Sequence, residues 1–388
     1  MSLLGNLGSK NLDNIAKEYG DGNSPFIDIK ISGKKWDSKR FLPSKANVNT
    51  SIWGEAGTCS VEIVDSFDNS AKSKFSSDFN FEDLKIGKKL EVFLGGTRNN
   101  HAEADIVFEG YIYAYDINIS NERTTIVIQG MDAKMWMMSN RKSRKIISAK
   151  TSTDAVSTIC REDYSSQISI EKIKVDNEIT ITDSSIIYQG NESDYAYICR
   201  IAKTIGALFF IDRGDLYFIN PLKLKAIKLT ISALSKNVIS LTGTMDIGGT
   251  PKSIKFVAID KKDFKKRKEI NVKKPEKMGT GTQASSAVKN TSNGNIIEIQ
   301  DIDIANATKN AKSLAQALMT IMGLNFFKVI IEIAGDPKTK LGTGVELVDI
   351  GEPFKSGDYI VTGIEHIVDS SKYVTKLTLN TTTVKMKN

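Results

Sequence analysis

The side chains of this sequence that could take part in chemistry are few, and their spacing decides what each can do. Histidine occurs twice, at His101 and His366, in separate regions of a 388-residue chain. Catalytic or metal constellations built on paired imidazoles are thereby removed from consideration. Cys59, Cys160 and Cys199 are far apart and have no C-x-x-C spacing, so they read as small core residues, with neither a disulfide framework nor a zinc cluster favoured. A general acid and base could be sought in Glu192 with Asp194, or in either with Asp183. Residues two apart on a helix do not face one another, and carboxylates in a first turn already stabilise the positive end of the helix dipole. These residues read as helix starters. His366 follows Glu365 in an alternating segment, which sends the two side chains to opposite faces of a strand; the histidine reads as a packing or hydrogen-bonding residue. There is no G-x-S-x-G, H-E-x-x-H or P-loop. Gly95-Gly96 and Gly342-Thr343-Gly344 lack the strand-to-helix context of a phosphate cradle. No catalytic, cofactor-binding or metal-binding residue is therefore expected, and no enzymatic activity.

The remaining chemical signal is charge. Residues 261–277 hold eight lysines and one arginine in a chain whose formal net charge is +7. Lys261, Lys262, Lys265, Lys266, Arg267 and Lys268 form a candidate basic contact loop, and phosphate contacts would need only such a run. It has one aromatic residue, Phe264, and no recognisable reading helix, so base-specific binding is poorly supported. A solvated, flexible loop is the leading reading; contact with an acidic protein or with DNA moving past is the other.

The elements that must position these residues are mostly strands. Residues 1–24, rich in Gly, Asn, Ser and Asp, read as an arm that needs a partner to become ordered. Between residues 25 and 135, six or seven alternating segments without a long helix predict a first tube-like β-barrel. Residues 136–221 predict an α+β junction domain. Its centre is IIYQGNESDYAYICRIAKTIGALFFIDRGDLYFINP, residues 186–221. Asn191 or Ser193 can cap a helix there, with Tyr195, Ile198, Cys199, Ala202 and Ile205 as its apolar stripe, Gly206 as its stop and a hairpin after it. A second tube-like barrel is expected over residues 222–260 and 325–388. Residues 261–324 form an insertion: the lysine run, a Gly/Ser/Thr/Asn segment over 278–295 that cannot bury a core and is expected to be a mobile loop or an extended crossing, then a helix over 304–322. The predicted class is mainly β with α+β insertions: two tube-like antiparallel barrels joined by a small α+β unit. No apolar run reaches the roughly 18 residues needed to span a bilayer, and the N-terminus lacks a signal peptide pattern; a soluble protein is expected.

Three ordered passages carry a family resemblance. The first is Phe108-Glu109-Gly110-Tyr111-Ile112 leading to Gly130-Met131-Asp132. The second comprises Gln189, Glu192, Ser193, Asp194, Ile198, Arg200, Ile201, Ala202 and Gly206. The third comprises Gly335-Asp336-Pro337, Leu341-Gly342, Gly357-Asp358-Tyr359-Ile360-Val361, His366 and Tyr373-Val374-Thr375. In this order they resemble the hub family of contractile injection machines: phage late-control D proteins, the central baseplate hub, and the N-terminal part of the type VI secretion spike protein. The resemblance implies a non-enzymatic homotrimer without cofactor, whose six barrels form a pseudo-hexameric ring adapting a sixfold tail tube to a threefold spike. Its implied partners are the tail tube or a tube-initiator protein, a separate spike protein and baseplate wedge proteins, with DNA passage through the channel. Its implied place is a virion or phage-tail-like bacteriocin particle assembled in the bacterial cytoplasm. A nucleic-acid-binding protein and a cell-wall hydrolase are the rival readings.

Overall fold

The computed structural model of the chain describes all residues except 1–9, 20–22, 37–40, 66–80, 99–100, 121–122, 147, 178–187, 225–227, 260–262, 264, 274–281, 285, 287–295, 302–303, 356–357 and 386–388. It begins with a two-residue strand, β1 (Lys10–Asn11), and helix α1 (Leu12–Tyr19). Leu12, Ile15 and Tyr19 are buried, and β1 pairs in parallel with Leu229 and Thr230 of the same chain. The expectation of an arm that waits for a partner is corrected over these residues, because the apolar face of α1 finds its cover at home.

The first barrel consists of β2 (Pro25–Ile31), β3 (Lys34–Lys35), β4 (Phe41–Ser51), β5 (Thr58–Asp65), β6 (Lys89–Arg98), β7 (His101–Ile119) and β8 (Thr124–Met131). Its strands lie in the order β4-β5-β8-β7-β6-β2-β3. Strict alternation in β5 and β8 sends every second residue into one core with Val48, Val61, Ile63, Val92, Ile126 and Ile128.

The junction unit follows: α2 (Lys134–Ser139), β9 (Arg141–Lys145), α3 (Ser152–Thr158), β10 (Ile173–Val175), β11 (Tyr188–Ser193), α4 (Asp194–Ile205), β12 (Leu208–Asp212) and β13 (Asp215–Ile219). The hairpin β12–β13 is buried on both faces, which is why its strands are almost uninterruptedly apolar. Phe210, Tyr217 and Ile219 join the core of the second barrel, while Phe209, Ile211, Leu216 and Phe218 join that of the junction.

The second barrel is built from β14 (Lys228–Ser232) and β15 (Val238–Met245). After β16 (Ser253–Ile259), β17 (Arg267–Val272), β18 (Thr282–Gln283), β19 (Ile296–Asp301) and α5 (Ile304–Leu324), it resumes with β20 (Phe327–Ala334), β21 (Gly344–Val348), β22 (Asp358–Val368), β23 (Tyr373–Thr381) and β24 (Thr383–Val384). Residues 253–259, expected in this barrel, instead form the middle strand of a separate sheet, β17-β16-β19. Its apolar side is covered by α5, through Ile254 and Val272 against Ala315 and Met319. Part of the expected loop is therefore the paired strand β17; most of residues 278–295 lies outside the described residues.

The two barrels repeat one plan, with β4-β5-β8-β7-β6 matching β15-β20-β23-β22-β21. Even the irregularities recur. A bulge between Pro43 and Lys45 of β4 returns between Val238 and Ser240 of β15, and one between Ile112 and Ala114 of β7 returns between Val361 and Gly363 of β22. The hairpins β7–β8 and β22–β23 close with equivalent bonds, Ser120 N–H to Arg123 O and Asp369 N–H to Lys372 O, both 3.0 Å. Residues therefore correspond one to one: Ile112 with Val361, Ala114 with Gly363, Ile119 with Val368. Between the barrels, Gly363 to Val368 of β22 pair antiparallel with Ser51 to Ala46 of β4, so a single sheet runs from one barrel into the other.

Candidate functional site at the junction of the barrels

The first and third sequence passages meet at the tip of the β12–β13 hairpin. Asp212-Arg213-Gly214-Asp215 must turn tightly, with φ of +51° at Arg213 and +82° at Gly214. A Cβ on Gly214 would lie 2.5 Å from Cδ of Glu109 in the first passage, so only glycine fits. Glu109 is itself held by Lys89 and Lys172, each at 2.9 Å. On the other side Arg213 donates to Thr339 O at 2.5 Å, beside the third passage. Burial pushes the Asp212 carboxyl above its ordinary range, against the opposing pull of Arg213.

Within the third passage, Asp336 is fully buried. Its carboxylate accepts from the N–H groups of Lys338 and Thr339 and from the Thr339 hydroxyl, and its own N–H donates to Thr375 Oγ1. Pro337 is buried next to it. A Cβ on Gly335 would lie 2.0 Å from the Tyr373 ring. His366 Nδ1 lies 3.0 Å from the Tyr373 hydroxyl and 3.1 Å from Thr375 Oγ1. Burial first, and the Arg213 charge second, lower its pKa to about 3, while burial raises that of Tyr373. Tyr359, also buried, donates to Phe354 O at 2.6 Å. The reading of His366 as a hydrogen-bonding residue on the face opposite Glu365 matches this geometry.

The second passage organises a buried carboxylate. Asp194 is 0% exposed. Oδ1 accepts from Arg144 at 2.9 Å and Gln189 at 2.8 Å; Oδ2 accepts from the Tyr164 hydroxyl at 2.6 Å and Asn140 at 3.0 Å. Four donors to two oxygens leave the charge fully solvated by protein. Ser193 is the cap that receives Ala196 N–H, while Gly206 ends the helix at φ +67°. Two details differ from expectation. Glu192 lies on β11, outside the first turn, and forms an ion pair with Arg200 at 2.5 Å. The buried stripe of α4 runs through Asp194, Tyr197, Ile198, Ile201, Ala202 and Ile205, because the helix is rotated so that the carboxylate faces inward; Tyr195 and Cys199 sit at its edge. Asp183 lies outside the described residues.

Sequence reasoning missed a second buried charge. Lys134 is 0% exposed, 3.8 Å from Asp132, and donates to Glu55 O at 2.6 Å; Asp132 accepts from Gly57 N–H at 2.7 Å. Burial lowers the Lys134 pKa and raises that of Asp132. The only available signal was a charged pair inside the apolar run MDAKMWMM. Arg144, hidden in a basic run, offered none.

The basic candidates are exposed at Lys265, Lys266, Arg267 and Lys268, whereas Lys261 and Lys262 lie outside the described residues. Acidic neighbours meet part of their charge: Lys266 with Asp263 and Arg267 with Glu269. Among the described residues no group of acidic, histidine and cysteine side chains could hold a metal ion, and no helix is long and apolar enough to cross a membrane.

The family model described as the Alg8 N-terminal domain matches residues 28–370. The chain belongs to this family. No curated protein matches the chain. Solved structures resemble this Alg8 N-terminal domain member over nearly its whole length. The tail protein from Neisseria meningitidis MC58 is 14% identical with a TM-score of 0.58, over 92% of this chain and 96% of that one. The 43 kDa tail protein of prophage MuSo2 from Shewanella oneidensis is 16% identical with a TM-score of 0.57, over 92% and 98%. The E. coli c3393 protein, a component of the type VI secretion system with structural similarity to the T4 tail proteins gp27 and gp5, is 10% identical with a TM-score of 0.53, over 91% and 76%. At such identities the likeness is one of fold: the chain has the fold of phage tail proteins and of a type VI secretion component.

Proposed function

We propose that the chain is the structural hub of a phage tail or phage-tail-like contractile injection particle. It works as a homotrimer whose six barrels adapt a sixfold tube to a threefold spike. The observation that carries this reading is the internal repeat: two barrels of one strand order fused through β4 and β22. A subunit made of two like barrels lets three chains present six similar units upward while keeping a threefold axis below. The junction supports the same reading, since the buried Asp194 carboxylate receives four donors from neighbouring elements and acts as a fastener. The hub acts without catalysis or a cofactor, and it contacts the tail tube or its initiator, a separate spike protein and wedge proteins at the baseplate of a particle assembled in the bacterial cytoplasm, with DNA passing through the ring. Native mass measurement with negative-stain imaging tests it: a ring of three chains is expected, and a stable monomer at micromolar concentration overturns it. Clearing of a peptidoglycan zymogram by the pure protein would overturn the non-enzymatic part.

A further inference from the structure

The joint between the barrels exists once within a chain, but its two halves exist twice. In the joint, Ala46, Val48 and Thr50 of β4 and Ile364, His366 and Val368 of β22 are buried. By the repeat, β15 is a second copy of β4, and the outer half of β7 is a second copy of β22. Among the described residues, β15 pairs with β20 alone and residues 114–119 pair with β8 alone. Each leaves one edge of main-chain N–H and C=O groups unpaired, the template on which strands add. Three of the positions equivalent to those buried in the joint are uncovered here, Ile117 at 41%, Ile119 at 49% and Met245 at 42% exposed, while Tyr115 and Leu241 are partly buried.

We infer that these two edges pair between copies of the chain, β15 of one subunit adding to residues 114–119 of the next in the register of the β4–β22 joint. Transferring that register places Tyr115 opposite Met245, Asp116 opposite Thr244, Ile117 opposite Gly243, Asn118 opposite Thr242 and Ile119 opposite Leu241. In this register Ile117 stands opposite Gly243, whose Cβ position is filled by the Phe354 ring. The two surfaces differ, so the contact is head-to-tail, and a closed ring follows when its rotation divides the circle. The inference rests on the reading of the chain as one subunit of a ring and names the surfaces that make the ring.

Disulfide trapping tests it. Asp116 and Thr244 are both exposed, and directly opposed residues on paired strands stand about 4.5–5.5 Å apart, within disulfide range. A chain carrying Asp116→Cys and Thr244→Cys is expected to give, under mild oxidation, a reducible ladder ending at three chain masses. The wild type and an Asp116→Cys, Met245→Cys chain, whose second thiol faces the other way, give none. Mixing the two single variants is expected to stop at the covalent dimer. A ladder ending at another number sustains the pairing and overturns the trimer. A trimer by native mass with no ladder overturns the pairing and leaves the hub reading standing, whereas a monomer by native mass overturns both. Ile117→Lys is expected to weaken association about tenfold or more by removing a central apolar anchor; unchanged association would count against the register.

Discussion

His366 and Ile117 occupy the same place in the two barrels, the same number of residues past equivalent bulges, yet one is sealed and the other is 41% exposed. His366 faces Val48 across the joint and has Tyr373 and Thr375 within hydrogen-bond distance. Ile117 has, among the described residues, Ile126 as its strand partner on the β8 side and none on the other. The difference comes from the neighbour, since a strand edge buries its residues only when a second strand arrives. Glu192 and Asp194 make the same point for charge: two residues apart, one forms a half-exposed pair with Arg200, the other is enclosed by four donors.

The largest expected effect lies at the enclosed charge. Asp194→Ala leaves Arg144, Gln189, Tyr164 and Asn140 without their acceptor and should cost about 3–5 kcal/mol in denaturant unfolding, whereas Glu192→Ala should cost under about 1 kcal/mol. Equal losses would break the distinction between covered and uncovered charge. Ile364→Ala in the joint should cost about 2–4 kcal/mol. Its counterpart in the free edge, Tyr115→Ala, should cost the isolated subunit clearly less while weakening assembly; a similar loss in both would show that the outer half of β7 is already covered.

A third comparison uses acid. The His366 pKa falls from an ordinary value near 6.5 to about 3 in the fold, so between these pH values the unfolded chain binds one more proton than the folded one. Stability present above pH 6.5 should therefore be lost as pH falls toward 3, with a slope of about 1.4 kcal/mol per pH unit from this group. His366→Gln should remove that slope in urea unfolding between pH 4 and 6.5; an unaltered slope would place the acid sensitivity elsewhere. The first barrel carries an isoleucine at this position and contributes no such term. The smallest effect separates two glycines: Gly351→Ala, with nothing within 4 Å of the added Cβ, should stay within about 0.5 kcal/mol of wild type, against about 1–3 kcal/mol or more for Gly335→Ala at the Tyr373 ring.

Local patterns, read from the sequence alone, determined much of this protein. Alternation announced β5, β8, β22 and β23, and Asn191 or Ser193 with Gly206 marked the ends of α4, because caps and periodicity are properties of neighbours along the chain. The three passages were legible as a set, and so was the absence of paired histidines. Tertiary structure alone decided that β16 leaves the barrel for a sheet under α5 and that α1 lies on its own chain. It also turned Asp194 inward and buried Lys134 beside Asp132, and it made β4 and β22 one sheet while leaving, among the described residues, one edge of β15 and of the end of β7 unpaired. Each of these depends on which distant surface covers a residue, and cover is decided by the packing of elements far apart in the chain, which no local period records.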